Sequence, residues 1–300
     1  MRLPRSRWHL VAHRSELAAP GDFVCLPHEV GQEIALMNVD GEIVAFDNRC
    51  PHRGARIFTE LRGNRPPVCG YHGRCAKPNE VLRFQVESIG DFLFVNRSPW
   101  VDRLNLGDPI STFLGSAPAL RPVAVIRDDH ACDWTVAVEN TLDSEHVTHV
   151  HADSLARLGL RRAALHTHDG SSLEVFRCDA APRLDRLGRV FPHRAAFDYA
   201  HAHLYPFACV ASTRGWTYSM QHYLPRADGR TAFVSRLFAQ ANAPEAAKHV
   251  IAAVAETNAR VFAEDAVICA LVSADRRGRL GPRDDRIALF RAAQRKEVIA

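Results

Sequence analysis

Residues 50–73 read CPHRGARIFTELRGNRPPVCGYHG and carry two Cys/His pairs, Cys50-x-His52 and Cys69-x2-His72. Two thiolates and two imidazoles brought together on two loops form a complete set of metal ligands. Tetrahedral zinc accepts such a set. A [2Fe–2S] cluster accepts it as well, with two cysteines on one iron and two histidines on the other.

The spacing and the flanking residues favour the iron–sulfur cluster over zinc. A zinc finger pairs cysteine with cysteine and histidine with histidine, whereas each pair here joins a cysteine to a histidine. Gly54, Gly70 and Gly73 flank the ligands and allow the backbone to fold close around sulfide. The surrounding sequence also predicts strands and turns rather than a finger helix. Zinc is the second interpretation, and unrelated core cysteines are the third.

The motif CPHRG…CGYHG resembles the ligand motif of the Rieske non-haem iron oxygenases of the ring-hydroxylating type. The resemblance implies a [2Fe–2S] cluster with four protein ligands, Cys50, His52, Cys69 and His72. Ala55 and Tyr71 stand where the Rieske proteins of respiratory chains carry an extra cysteine pair. This difference indicates the low-potential branch that supplies electrons to oxygenases.

The composition is that of a soluble globular protein. The 300 residues are 47% hydrophobic and 24% charged, with a net charge of +4. That charge is too small to suggest a nucleic-acid partner, no apolar run is long enough for a membrane helix, and the N-terminus lacks a signal-peptide pattern. We therefore expect a cytoplasmic protein. The remaining cysteines are expected to be small buried side chains: Cys25, Cys75, Cys132, Cys178, Cys209 and Cys269.

The first hundred residues have the pattern of a small antiparallel β-domain. Gln32–Val39 and Glu42–Phe46 flank Asp40-Gly41, a hairpin signal because this dipeptide accepts the positive φ angles of a type I′ turn. The second of these strands leads directly to Cys50. Residues 98–122 are rich in Pro, Gly and Ser and predict a linker. We therefore place a Rieske domain at residues 1–110 and a catalytic domain at residues 111–300.

The second half changes from a helical pattern to a strand pattern and back. Asp128-Asp129 predicts a helix N-terminus, and apolar residues follow at helical spacing: Trp134, Val138 and Leu142. Strands are expected at Leu173–Phe176, Phe197–Leu204, Ala208–Thr213, Thr217–Leu224 and Thr231–Phe238. Pro244 predicts the start of a long helix that runs to about Asp275. A last amphipathic helix is expected at Arg283–Glu297.

Residues 139–151, ENTLDSEHVTHVH, combine acids with three histidines. On a straight helix, Glu139, Asp143 and His146 would share one face. A solvated polar face would explain a charged run by itself. The packed apolar residues of the same helix and the three neighbouring histidines favour a shared metal ion instead.

A third candidate ligand lies on the long C-terminal helix. Asp265 falls on the buried apolar stripe of that helix, whereas Glu264 falls off it beside Arg260 and is expected to be dispensable. A buried carboxylate without a partner costs several kcal/mol, and a metal ion would remove that penalty. Two histidines and one carboxylate form the facial triad that suits Fe(II) and O2.

Two segments of this half resemble the mononuclear-iron site of the same oxygenase family. They are Asn140-x2-Asp143-x2-His146-x4-His151 and Ala263-Glu264-Asp265. The resemblance implies three iron ligands, His146, His151 and Asp265, and catalytic roles for Asp143 and Asn140. His149 has the better helical spacing from His146, but the helix distorts here in the family. We therefore expect His149 outside the ligand set or at the surface.

The resemblance also gives Asp143 a place in electron transfer. In the family, the equivalent acid accepts a hydrogen bond from a Rieske histidine of the neighbouring subunit, because the two metal centres of one chain lie too far apart. It can also orient a ligand histidine. A closed homotrimer is therefore expected, with His52 or His72 of one chain beside Asp143 of the next.

The sequence thus predicts an α+β protein, an all-β Rieske [2Fe–2S] domain followed by a helix-grip domain whose antiparallel sheet curls around a long C-terminal helix. The resemblance implies the terminal oxygenase component of a multicomponent system that uses O2 and electrons from an NAD(P)H-dependent reductase, with or without a ferredoxin. The reaction would be hydroxylation, dihydroxylation or oxidative demethylation of a small substrate, which is expected to be aromatic. The alternative is a Rieske electron-transfer protein without turnover.

Three arginines could hold a substrate carboxylate or lie at the solvated surface: Arg161, Arg162 and Arg214.

Overall fold

The computed structural model describes residues 7–26, 33–75, 80–99, 102–179, 181–273 and 278–299. The chain divides into two compact units, Met1–Asn105 with Leu114–Ser116 and Leu106–Phe113 with Ala117–Ala300. Within the described ranges, no helix has both the length and the apolar character that a membrane span requires.

The first unit is built mainly from strands. They are β1 (Trp8–His13), β2 (Asp22–Leu26), β3 (Ile34–Val39), β4 (Glu42–Asp47), β5 (Arg62–Asn64), β6 (Val68–Cys69), β7 (Arg74–Cys75), β8 (Arg83–Ile89) and β9 (Phe92–Asn96). Seven of them form one antiparallel sheet in the order β1-β9-β8-β4-β3-β2-β5, and β6 pairs with β7. The predicted hairpin is confirmed, since β3 pairs with β4 across Asp40 and Gly41, both at positive φ.

The apolar core of this unit extends to the cluster loops. Phe23 and Phe58 stack with their ring centroids 3.8 Å apart. Cys50 and Cys69 belong to the same buried apolar cluster as these rings. The two loops that carry the Cys/His pairs are therefore anchored on a packed core through their cysteines.

The second unit contains a larger antiparallel sheet. Its strands are β10 (Leu120–His130), β11 (Leu160–His168), β12 (Ser171–Cys178), β13 (Tyr199–Leu204), β14 (Ala208–Thr213), β15 (Thr217–Pro225) and β16 (Thr231–Gln240). The order is β10-β16-β15-β14-β13-β12-β11. The helices are α1 (Asp108–Gly115), α2 (Trp134–Leu142), α3 (Val147–Val150), α4 (Ala181–Gly188), α5 (Lys248–Cys269) and α6 (Asp285–Ile299).

Aromatic contacts hold the helices against this sheet. Phe262 of α5 meets Phe233 of β16 with the ring centroids 4.8 Å apart. Trp134 of α2 meets Phe290 of α6 at 5.7 Å. Helix α2 also packs on α5 and on β15. The predicted α+β fold, with an all-β unit followed by an antiparallel sheet and a long helix, is confirmed. Five of the six remaining cysteines are buried thiols as predicted, and the Cys75 side chain lies outside the described residues.

The predicted start of α2 at Asp128-Asp129 is wrong. These residues are part of β10, and the helix begins after Asp133, whose side chain accepts a hydrogen bond from the N–H of Thr135 at 2.9 Å. The strand escaped prediction because β10 lies at the sheet edge and its register shifts between Pro122 and Ala124. Proline is tolerated at such an edge bulge but weakens the strand pattern.

The prediction of one continuous helix through residues 139–151 is also wrong. Helix α2 ends at Leu142, and Asp143 caps it with an extended ψ of 115°. A separate short helix, α3, follows at Val147–Val150. The prediction that Glu139, Asp143 and His146 share one face of a straight helix is therefore wrong.

Three further element boundaries differ from prediction. The expected linker contains α1 and the start of β10, and the edge strand β11 was missed because most of its residues are exposed. Helix α5 ends at Cys269 rather than near Asp275. Leu271 is 77% exposed, so no packing supports another turn at that point. Residues 274–277 lie outside the described ranges.

Candidate metal centres

The two Cys/His pairs lie on loops with the same backbone turn. The N–H of Gly54 donates to the carbonyl oxygen of Cys50 at 2.8 Å, and that of Gly73 donates to Cys69 at 2.9 Å. Both glycines have a positive φ, 71° and 66°, which other residues adopt at a cost. Each cysteine therefore begins a tight turn, which explains the glycine four residues after it.

The geometry of these loops suits a shared metal group. Cys50 and Cys69 are buried, whereas His52 and His72 are exposed, with their Nδ1 atoms 3.1 Å apart. Two nitrogens bound to one tetrahedral ion by bonds of about 2.1 Å would lie about 3.4 Å apart. The imidazoles therefore fit a common metal ion, and the thiols fit the core side of a [2Fe–2S] cluster.

The second centre brings together the three side chains predicted as mononuclear-iron ligands. His146 Nε2 and His151 Nε2 are 3.2 Å apart, and Asp265 Oδ1 lies 3.4 Å from the first and 3.1 Å from the second. Adjacent ligands of an octahedral ion with bonds of about 2.1 Å would be about 3.0 Å apart. The three atoms therefore form one face of a metal site of ordinary size.

The break between α2 and α3 makes this arrangement possible. His146 precedes α3 and His151 caps its other end, so α3 carries both histidines to α5. Asn140 on the last turn of α2 donates through Nδ2 to Asp265 Oδ1 at 2.7 Å. Burial alone would raise the pKa of Asp265, but the two histidines outweigh burial and lower it to about 2. The carboxylate is therefore in the form that binds metal.

Glu264 has a role that the sequence pattern did not suggest. Its Oε2 lies 2.7 Å from His151 Nδ1 and accepts a further hydrogen bond from Ser154 Oγ at 3.2 Å. With the proton held on Nδ1, the lone pair of His151 Nε2 is available to a metal ion bound together with His146 Nε2 and Asp265 Oδ1. The interpretation of Glu264 as a dispensable residue beside Arg260 is therefore corrected.

Glu264→Ala is expected to weaken metal binding at this centre by about 10- to 100-fold, because such outer carboxylates orient ligand histidines. Glu264→Gln should lose less, since its carbonyl oxygen can still accept from Nδ1. The measurement is equilibrium dialysis of both variants against Co(II), with the cluster spectrum as a check on folding. Wild-type affinity in Glu264→Ala would refute this role.

The other candidates on this segment lie in different surroundings. Asp143 Oδ1 accepts the N–H of Glu145 at 2.7 Å, and Oδ2 is 3.9 Å from His146 Nδ1, beyond a hydrogen bond. The expected orienting bond to a ligand histidine is therefore made by Glu264 and not by Asp143. His149 is exposed. Glu139 is held by a bidentate ion pair with Arg291.

A cavity of about 1010 Å³ opens beside the three candidate ligands. The arginines considered for carboxylate binding are already paired. Arg161 pairs with Asp179 and is 72% exposed, and Arg162 bonds Asp285 through both terminal nitrogens. Arg214 is buried and paired with Asp185 and Asp198, so its interpretation as a surface residue is wrong.

Sequence reasoning missed the polar residues on the sheet side of this cavity. They are Glu174, His201, Gln221 and Arg286. Three of them occupy buried strand positions, where a polar side chain in an otherwise apolar strand is the available signal. Arg286 carried no such signal, because α6 has charged residues on all sides.

Comparisons with known proteins identify the domain in the first part of the chain. Residues 7–80 match the family described as the Rieske [2Fe-2S] domain. The large oxygenase component of a naphthalene 1,2-dioxygenase system from Pseudomonas putida is 39% identical over 185 residues, which is 49% of this chain and 40% of that protein. This chain spans 20 to 40% of the length of the curated relatives that it matches.

Solved structures extend the similarity of fold to almost the whole chain. A quaternary ammonium Rieske monooxygenase superposes with a TM-score of 0.77 at 18% identity, over 97% of this chain and 88% of that one. A naphthalene 1,2-dioxygenase from Rhodococcus sp. has a TM-score of 0.68 at 16% identity, over 97% and 89%. The chain therefore contains a Rieske [2Fe–2S] domain and has the fold of the Rieske oxygenase alpha components, to which it is related in sequence.

Proposed function

We propose that this chain is the terminal oxygenase (alpha) component of a multicomponent Rieske oxygenase, with its Rieske domain in residues 1–110 and its catalytic domain in residues 111–300. It would use O2 to hydroxylate, dihydroxylate or oxidatively demethylate a small substrate. The observation that carries the proposal is the convergence of His146, His151 and Asp265 beside a cavity, in a chain that also has a Rieske domain.

The partners follow from the same proposal. An NAD(P)H-dependent reductase, with or without a ferredoxin, would deliver the electrons, and the functional unit would be a homotrimer. The Pseudomonas relative supports this view, because its name describes one component of a dioxygenase system.

The side chains around the second centre prepare it for this chemistry. When bound there, Fe(II) supplies the activation of O2. His146, His151 and Asp265 would hold this iron. Asn140 holds the carboxylate of Asp265 and Glu264 holds the ring of His151, so neither has to reorient during turnover. Val261 and Phe262 present apolar surface to the same cavity and limit the water that reaches it.

The iron content tests the proposal directly. Protein purified without oxygen should contain three iron atoms per chain, two with acid-labile sulfide and one without, because a Rieske cluster holds two and the triad holds one. Metal and sulfide analysis makes the measurement. Two iron atoms per chain would favour the electron-transfer alternative, and stoichiometric zinc without iron would refute the Rieske assignment. Substrate-dependent O2 uptake with a surrogate reductase then tests turnover.

A further inference from the structure

One wall of the cavity is polar although it is buried. Glu174, His201, Gln221 and Arg286, which we call the polar wall, line the cavity, and each is at most 6% exposed. Burying polar groups costs free energy unless their hydrogen bonds are satisfied. The hydrogen bonds of the polar wall therefore show which donor or acceptor is left for a bound molecule.

The polar wall has a fixed direction of hydrogen bonding, which starts at Arg286. A guanidinium group can only donate, so Arg286 Nη2 donates to His201 Nδ1 at 3.0 Å. His201 then carries its proton on Nε2 and donates it to Thr141 Oγ1 at 3.3 Å. Burial, followed by the charge of Arg286, holds the pKa of His201 well below its usual range, so the ring is neutral.

The amide of Gln221 is hydrogen-bonded at both of its ends. The hydroxyl of Tyr223 donates to Gln221 Oε1 at 2.9 Å. Gln221 Nε2 has two N–H groups, and among the described residues one acceptor is bonded to them, Ser219 Oγ at 3.3 Å. The second N–H belongs to a side chain that lines the cavity.

The charges of the polar wall cancel. Glu174 accepts from Arg286 Nη1 at 3.0 Å and also from Arg162 Nε. Arg162 in turn pairs with Asp285. Two guanidinium groups therefore face two carboxylates, which leaves no unpaired charge there for an ionic substrate. The polar wall is built for a hydrogen bond and not for an ion pair.

We propose that the substrate of this oxygenase carries an uncharged hydrogen-bond acceptor, such as the carbonyl oxygen of an amide, urea or ketone, which accepts from Gln221 Nε2. This inference rests on the proposed function and narrows its substrate class. A bare hydrocarbon would displace water from the N–H without replacing the hydrogen bond, so it would bind more weakly than a carbonyl compound of similar size.

Calorimetric titration of the iron-loaded protein without oxygen tests this inference with four probes of similar size. They are acetanilide, n-propylbenzene, phenylacetate and 2-phenylethylammonium. Acetanilide should bind about 10-fold or more tightly than each of the others, since one unmet buried hydrogen bond corresponds to that loss. Equal or tighter binding of n-propylbenzene or of either ion would overturn the inference.

Three variants separate the hydrogen bond from the fold. Gln221→Leu should weaken the binding of acetanilide about 10- to 100-fold and leave the binding of n-propylbenzene no weaker, so the preference for acetanilide is lost. Gln221→Glu keeps the acceptor for Tyr223 and should favour 2-phenylethylammonium over acetanilide. Ser235→Ala removes a buried hydroxyl that bonds Ser219, and should leave the order of the probes unchanged. An unchanged order in both Gln221 variants would refute the role of this residue.

The same samples distinguish failure of this inference from failure of the proposed function. Binding is measured without turnover, so the order of the probes is independent of activity. If n-propylbenzene stimulated O2 uptake as strongly as acetanilide, the proposed substrate class would be refuted, whereas the proposed oxygenase function would stand. If the wild-type protein contained only two iron atoms per chain, the proposed oxygenase function itself would be refuted.

Discussion

Asp265→Ala is expected to purify with two iron atoms per chain instead of three and to lose substrate-dependent O2 uptake. Asp265 Oδ1 is the only carboxylate oxygen, among the described residues, that lies within 3.4 Å of both His146 Nε2 and His151 Nε2. Its removal leaves two neutral imidazoles, which do not balance the charge of Fe(II). The loss should exceed the effect of about 10- to 100-fold expected for an outer residue such as Glu264.

Iron and sulfide analysis, together with the visible spectrum of the cluster, makes this measurement. Glu256→Ala is the matched control, because Glu256 is an exposed acid on the same helix. It should retain three iron atoms. An Asp265→Ala protein that keeps its third iron would show that the ligand assignment is wrong, even if the protein remained an oxygenase.

The parts of this protein that the sequence predicted well depend on local pattern. The cluster motif can be read because each cysteine, its histidine and the glycine of its turn lie within five residues. The hairpin at Asp40-Gly41 is equally local, since the dipeptide itself adopts the turn. Asp265 could be identified from the apolar periodicity of a long helix.

The parts that were mispredicted depend on contacts between distant residues. Periodicity assumes a straight helix, but α2 ends at Leu142 and the backbone becomes extended at Asp143. Glu264 falls outside the buried stripe of α5, yet α3 brings His151 to it. The polar wall brings residues of β12, β13, β15 and α6 to one cavity, and no pattern within one of these elements predicts that meeting.

The proposed homotrimer would give Asp143 a role between two subunits. Asp143 Oδ1 accepts the N–H of Glu145, and among the described residues no donor is bonded to its Oδ2. The side chain is 31% exposed. His52 and His72 are also exposed, on the loops of the Rieske domain. In the proposed homotrimer, a ring N–H from either histidine of the partner subunit would reach Asp143 Oδ2 and connect the two centres across the interface.

Asp143→Asn is therefore expected to keep three iron atoms and a reducible cluster while turnover falls by about 10- to 100-fold or more. The amide oxygen can still accept the N–H of Glu145, so a loss of activity would not come from losing that local hydrogen bond. Asp153→Asn, at an exposed acid near the same segment, is the control and should match wild type.

The sharper test mixes chains carrying Cys50→Ala with chains carrying Asp265→Ala in one assembly. If electrons cross between subunits, the mixture should recover part of the activity that neither variant has alone. A fully active Asp143→Asn protein, or a mixture as inactive as its parents, would contradict electron transfer through Asp143.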